Sequence, residues 1–222
     1  MPLRLLEGEP EAREWRRVRV PALLELIVAA AGNPPDRPRI ITLDGRGGSG
    51  KTTLAARLQG QATASVVVHT DDLAWHEPLF AWGHLLADHV LGPLRQGRAV
   101  SYRPPAWEQR GREGAIVVPA GLDLVIVEGN GASQRDHTHL IDATVWVQAA
   151  FDEAEQRAIA RDIAEGVNGD PAQAAAFWQT WMTEEVPFFE RQRPWERACI
   201  VVNGTPRDHL DADHVEIGSP AP

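Results

Sequence analysis

The chain has 222 residues, a formal net charge of −9 and one cysteine, Cys199. Its length is about 1.5 typical domains, which predicts one domain or one domain with an appendage. A chain this long buries roughly 70% of its unfolded surface, so its core needs neither metal nor disulfide. The lone cysteine excludes an intramolecular disulfide framework and fits a reducing, cytoplasmic setting. The longest apolar run, Ala22 to Ala31, is broken by Glu25 and is too short to span a bilayer. Glu7, Glu9 and Glu11 stand where a signal peptide would be apolar, and no membrane partner is expected. The negative charge repels nucleic acid, and the one basic patch, Arg13 to Arg19, reads as an amphipathic helix face.

In chain order, a helical stretch around Glu11–Ala31 ends at Gly32-Asn33-Pro34-Pro35, which must be non-helical. Residues 1–38 are therefore expected to form a helical extension packed on a compact domain, residues 39–222, that closes with a Pro-rich tail, Ser219 to Pro222. Strands are predicted at Ile40–Leu43, Ser65–His69, Ile116–Val118, Leu124–Val127, Ala143–Val147 and Cys199–Val202, with a short edge strand at His214–Ile217. Helices are predicted at Lys51–Gln59, Leu79–Gln96, Asp152–Glu165 and Pro171–Glu190. Val66-Val67-Val68 and Val125-Ile126-Val127 are apolar at successive positions, the pattern of strands buried on both faces of a parallel sheet. Strands alternating with helices imply right-handed crossovers, hence a three-layer α/β domain with a mainly parallel sheet flanked by helices. In such sheets ligands sit beyond the carboxyl ends of the strands.

Directly after the strand Ile40–Leu43 comes Gly45-Arg46-Gly47-Gly48-Ser49-Gly50-Lys51-Thr52, a complete G-x-x-x-x-G-K-[ST]. Glycines let backbone N–H groups turn inward around a phosphate, and the helix starting near Lys51 points its positive end at the same anion. Lys51 can reach the β- and γ-phosphates and the Thr52 hydroxyl can ligate Mg2+. Of 22 basic residues, Lys51 is the one lysine and the remaining 21 are arginine. A compact ammonium therefore falls on the single position that requires it. Gly45, Arg46, Gly47, Gly48, Ser49, Gly50, Lys51, Thr52 and Thr53 form the predicted nucleotide-binding set.

Two further strands run into acids: Ser65–His69 into Asp71-Asp72, and Leu124–Val127 into Glu128. Both acids project at the edge that carries the phosphate loop. A carboxylate near the metal can hold it directly or through water, and one near the γ-phosphate can take a proton from an attacking hydroxyl.

Gly45–Thr53, Asp71-Asp72-Leu73-Ala74-Trp75 and Val125–Gly129 together resemble the uridine kinase, phosphoribulokinase and pantothenate kinase group of P-loop kinases. The resemblance continues through Arg157, Arg161, Asp162 and Ile163, similar to that group's lid helix, and through Ala198–Gly204, similar to its final strand. It spans residues 39 to 204 in the family's order. It implies ATP and Mg2+ as cofactors, Asp71 as catalytic base, and Thr52 and Glu128, with Asp71 beside them, on the metal side. It also implies that Arg161 touches the transferred phosphate, with Lys51 and Arg161 supplying catalytic positive charge. The acceptor half departs from the pattern. The Asp-His-Pro segment that follows the catalytic acid in uridine kinases is missing, a Tyr-Asp pair reads Tyr102-Arg103, and Trp107 stands near a histidine position. The lid helix is followed by Ala164-Glu165-Gly166-Val167-Asn168, without arginine.

The stretch from Val100 to Arg110 reads as the acceptor loop. Pro104-Pro105 stiffen it, Tyr102 and Trp107 offer flat faces, and Arg103 offers a planar fork for an anionic acceptor. Trp75 and His76 are placed on the opposite wall. Trp178 and Trp181 read as helix packing, and His137 and His139 as solvated residues rather than a metal pair. The expectation is a small-molecule kinase acting on a hydroxyl, with a nucleoside or nucleotide-like acceptor first. A sugar phosphate or vitamin precursor stands as the alternative acceptor, and a nucleotide-binding regulatory module without efficient transfer as the alternative class. ATP against GTP and the oligomeric state stay open.

Overall fold

A computed structural model describes residues 4–206 and 210–219 of the chain. Residues 220–222 of the Pro-rich tail lie outside the described residues. The order is β1 (Arg13–Arg19), α1 (Val20–Ala31), β2 (Arg39–Gly45), α2 (Lys51–Gln59), β3 (Ser65–His69) and α3 (Thr70–Ala74). Helices α4 (Gly83–Leu86) and α5 (Gly92–Arg95) flank a π-helical turn at Ala87–Leu91. Then come β4 (Val100–Tyr102), α6 (Pro105–Gln109), β5 (Ile116–Val118), β6 (Leu124–Glu128) and β7 (Ala143–Gln148). Two long helices, α7 (Phe151–Glu165) and α8 (Pro171–Gln192), precede β8 (Ile200–Asn203) and β9 (His214–Ser219).

The main sheet runs β1-β9-β8-β7-β2-β6-β3. From β8 through β3 every pairing is parallel, whereas β9 is antiparallel to both β8 and β1. This is the mainly parallel three-layer architecture that the sequence predicts. Alternate residues of β2 face opposite layers. Ile41 and Leu43 pack with Leu23, Ile27, Leu54 and Leu58 of α1 and α2. Ile40 packs with Leu86, Val90, Val125 and Val127 on the other side. Val125, Ile126 and Val127 are completely buried, because β6 lies between β2 and β3. Val66 and Val67 are half-buried, because β3 is an edge strand.

Several expectations need correction. The helix expected from Glu11 begins at Val20, and Arg13–Arg19 is strand β1 of the main sheet, not a basic helix face. Pro21 explains the break: it fits the first turn of α1, but inside a helix it would remove a hydrogen bond and clash with the preceding turn. The 1–38 segment thus adds a strand to the sheet as well as a helix. Since β1 covers β9, the expected edge strand at His214–Ile217 is paired on both sides. Ile116–Val118 joins β4 in a separate antiparallel pair instead of the parallel sheet. The helix expected from Leu79 starts at Gly83, since Phe80 holds a positive φ of 59° that no right-handed helix accommodates. Among the described residues no helix is long and apolar enough to cross a membrane.

Candidate active site

Parallel pairing sets the site. Glu128 at the end of β6 is in register with both Leu43 of β2 and His69 of β3, so three strand ends open onto one edge. The phosphate loop leaves β2 there and returns as α2. Gly48 has φ 74°, and a Cβ on it would strike the carbonyl oxygen of Ala154 in α7, so glycine is required twice over. Gly50, at φ 96°, is the left-handed residue from which α2 starts. The free N–H groups of the first turn of α2 face the loop.

Lys51 is buried, and its Nζ donates to Arg46 O at 2.7 Å and Asn130 Oδ1 at 2.8 Å. Burial pushes its pKa down, while Glu128, Glu185, Asp44 and Asp71 pull the other way. Thr52 Oγ1 donates to Glu128 Oε1 at 3.1 Å, and His69 Nδ1 lies 2.6 Å from the same oxygen. That contact, more than any other, raises the His69 pKa. Asp71 lies in the first turn of α3. Its residue surface is exposed, yet enough protein surrounds the carboxyl that desolvation raises its pKa; Glu128 adds to this against the opposing pull of Lys51, Arg161 and His69. Arg161 lies on the exposed face of α7, where its guanidinium donates to Asp162 at 2.9 Å. Thr53 is exposed beside Thr52 in α2.

Four contributors went unnoticed in the sequence. Asp44 is 1% exposed and accepts hydrogen bonds from the backbone N–H groups of Gly45, Gly131 and Ser133 and from Ser133 Oγ. It ties the phosphate loop to the segment after Glu128; an acid ending an otherwise apolar strand was its signal. Asn130 and Ser133 belong to that segment and carry no pattern of their own. Glu185 of α8 is completely buried and accepts from Gly47 N–H at 2.6 Å. A lone acid on the inward stripe formed by Ala174, Trp178 and Phe188 was its signal. Arg46, also buried, pairs with Glu185 at 3.5 Å and lays its guanidinium over the Phe151 ring. Trp178 lies on the buried stripe of α8, as expected of helix packing, and a Cβ on Gly47 would meet its ring at 3.0 Å.

On the acceptor side, Trp107 is 4% exposed, belongs to the core, and donates through Nε1 to Asp72 O at 2.9 Å. Its face is covered by the Arg112 guanidinium, 3.6 Å from the ring centroid. Arg103 is exposed and donates to Arg112 O at 2.8 Å, so the fork beside the acid pair belongs to Arg112, which bonds Asp72 Oδ1. Trp75 stands edge-on to His76, with Arg112 5.3 Å from its ring. Tyr102 stacks flat on His89 of the π-helical turn, centroids 4.1 Å apart, and its buried hydroxyl has no partner among the described residues.

The Thr52 hydroxyl and the Glu128 and Asp71 carboxylates are hard oxygens converging at one sheet edge, a set that suits Mg2+, which takes one or two protein carboxylates plus phosphate oxygens. Among the described residues no group of three or more His, Cys, Asp or Glu is arranged to hold a metal ion by itself. His137, expected to be solvated, is 2% exposed, and burial lowers its pKa.

No family model matches the chain, and no curated protein does. Solved structures do. One is a candidate fructose transport system kinase from Silicibacter sp. TM1040, with TM-score 0.53 and 20% identity over 79% of this chain and 94% of that one. Another is a candidate uridine kinase from Bacillus stearothermophilus, with TM-score 0.50 and 18% identity over 82% of this chain and 96% of that one. At these identities the likeness shows the fold, a three-layer α/β architecture around a mainly parallel sheet.

Proposed function

We propose that this chain is a Mg2+-dependent kinase that moves the γ-phosphoryl group of ATP to a hydroxyl of a small metabolite, with nucleosides and nucleotide-like compounds as the first acceptors. The observation that carries the reading is the convergence of a complete phosphate loop, the Thr52–Glu128 pair and the raised-pKa Asp71 at one strand-end edge. A carboxyl held above its ordinary pKa beside a phosphate site has the character of a general base. Lys51 neutralises phosphate charge, the loop glycines let backbone N–H groups approach it, Thr52 and Glu128 offer oxygens to the metal, and Asp71 stands beside them as the base. When bound, Mg2+ draws charge from the phosphate oxygens. Positioning and electrostatics dominate such transfers, so these groups carry most of the catalysis. Arg161 lies within electrostatic reach of Asp71 and would meet the transferred group after leaving Asp162. Trp75 and the Arg112 guanidinium stand beside the acid pair and would form the acceptor wall, with Trp107 packed behind it; Tyr102 and Arg103 flank it at a distance, Arg103 through its bond to Arg112 O. The one cysteine supports a reducing, cytoplasmic setting.

A second reading, a nucleotide-binding module without efficient transfer, is favoured by the Arg161–Asp162 pair, which leaves the lid helix arginine engaged. The test is ADP release from Mg·ATP and Mg·GTP across nucleosides, nucleotides, sugar phosphates and vitamin precursors. Turnover with one acceptor class names the substrate; nucleotide binding without turnover on any of them supports the module and sinks the kinase.

A further inference from the structure

Glu185 is a completely buried acid against the phosphate loop that the proposed transfer does not use. Its Oε1 accepts from Gly47 N–H at 2.6 Å, from Trp181 Nε1 at 3.1 Å and from Asn130 Nδ2. Its Oε2 lies 3.5 Å from Arg46 and has no hydrogen-bond partner among the described residues. The carboxylate is therefore held by a backbone N–H of the phosphate loop, by the loop's own arginine, and by the amide that also grips Lys51. The first of these, a backbone N–H of the loop, is what a phosphate loop offers to an anion. Lys51 marks where the β- and γ-phosphates lie, and Glu185 stands one amide group away from it across Asn130. A terminal phosphate brought to this place meets a fixed negative charge and finds the Gly47 donor taken. A diphosphate, which lacks that last group, meets less of both.

We propose that Glu185 is an internal anion in the phosphate loop that sets the balance between nucleoside triphosphate and nucleoside diphosphate binding, disfavouring the triphosphate. The proposal rests on the nucleotide-binding reading of this site and adds a specificity-determining residue to it. Arg46 beside Oε2 offsets part of this charge, yet like charges a few ångströms apart at an effective dielectric constant near 20 repel strongly enough to change affinity by about tenfold. The isosteric amide of Glu185→Gln keeps an oxygen for Gly47, Trp181 and Asn130 while removing the charge. Glu185→Asp keeps the charge and shortens the reach.

The experiment is calorimetric titration of Mg·ATP and Mg·ADP into wild type and both variants, beside melting curves without nucleotide. In wild type, Mg·ATP is expected to bind no more tightly than Mg·ADP. In Glu185→Gln the ATP affinity gains about tenfold relative to ADP, while Glu185→Asp keeps a ratio close to wild type. A wild type that prefers ATP by tenfold or more overturns the proposal, and that measurement needs no variant to fold. So does an unchanged ratio in Glu185→Gln, or an equal shift in both variants, which would mark Glu185 as packing alone. Failure of wild type to bind either nucleotide removes the nucleotide reading itself and the proposal with it.

Discussion

Thr52 Oγ1 and Glu128 Oε1 are joined by a 3.1 Å hydrogen bond that links the first turn of α2 to the last residue of β6. These oxygens face the loop that would hold the phosphates, so their joint task is to receive a hard cation. Glu128→Gln keeps the shape and removes the charge that the cation prefers. Turnover at low Mg2+ should fall at least ~10-fold, the scale of altering a metal's surroundings, and should partly recover at high Mg2+. A Mg2+ titration of kcat decides it: a loss that no concentration restores would remove Glu128 from the metal side.

Asp71 should behave differently under the same titration. Asn in its place cannot take a proton, and loss of a general base lowers kcat by ~10²–10⁴ with ATP affinity nearly intact. Added Mg2+ should not restore it. The base works only when ionised, so activity rises with pH through its pKa. Burial raises that pKa above the ordinary 3.8, and the acid limb of kcat/KM should therefore lie on the high side of an ordinary aspartate's. A limb at the ordinary position, or one that survives in Asp71→Asn, would assign the proton transfer elsewhere.

Lys51→Ala should abolish nearly all transfer and weaken ATP binding, since the chain has no second lysine to substitute. A methyl group cannot mimic a point charge at the phosphates. Normal turnover in this variant would sink the kinase reading.

The parallel core and its loop were legible because each strand was a short apolar run and the loop needs a fixed series of residue types. Ser65–His69 and Lys51–Gln59 appear with the very boundaries their patterns imply. What stayed hidden depends on partners distant in sequence. The arginines of β1 gave it a helix-like polar rhythm, and only β9, some 200 residues later, makes it a strand. Asp44 bonds Ser133, Lys51 bonds Asn130, and Glu185 bonds Gly47, all contacts that spacing cannot encode. The acceptor loop misled for the same reason. Sequence places Arg103 beside Tyr102, but the fold turns it outward and brings Arg112 to Asp72.

That exchange changes which arginine should matter. Arg112 spans Trp107, Trp75 and Asp72, one residue from the proposed base. Arg112→Ala should free Asp72 and unstack the loop, raising the acceptor KM about tenfold, the scale of losing one charged hydrogen bond, with little change for ATP. Arg103→Ala removes an exposed bond to a carbonyl and should change either constant less than about twofold. Steady-state kinetics with an accepted substrate checks both, and the reverse order of effects would place Arg103 in the site after all.

Asp142 tests the scaffold under the site. It accepts from both Nη atoms of Arg37 at 2.7 and 2.8 Å, from Ile40 N–H at 2.8 Å and from Arg95 at 2.7 Å, tying the starts of β2 and β7 to α5. Burial opposes its ionisation, but the Arg37 and Ile40 hydrogen bonds and the charges of Arg37 and Arg95 outweigh it and hold the pKa below 3.8. Asp142→Asn leaves two arginines facing a neutral amide, and breaking such a pair should cost about 3 kcal/mol and lower Tm by roughly 6–12 °C. A depressed folded-state pKa fixes the sign of the pH effect. The contribution is complete above the unfolded-state value, and it drains away as pH falls from about 4 through the folded-state pKa, because the unfolded chain takes up the proton first. Urea midpoints of wild type and variant should therefore differ most near neutrality and converge on acidification. A gap that stays constant down to about pH 3 would mean that shape, and not the ionised carboxylate, is what Asp142 contributes.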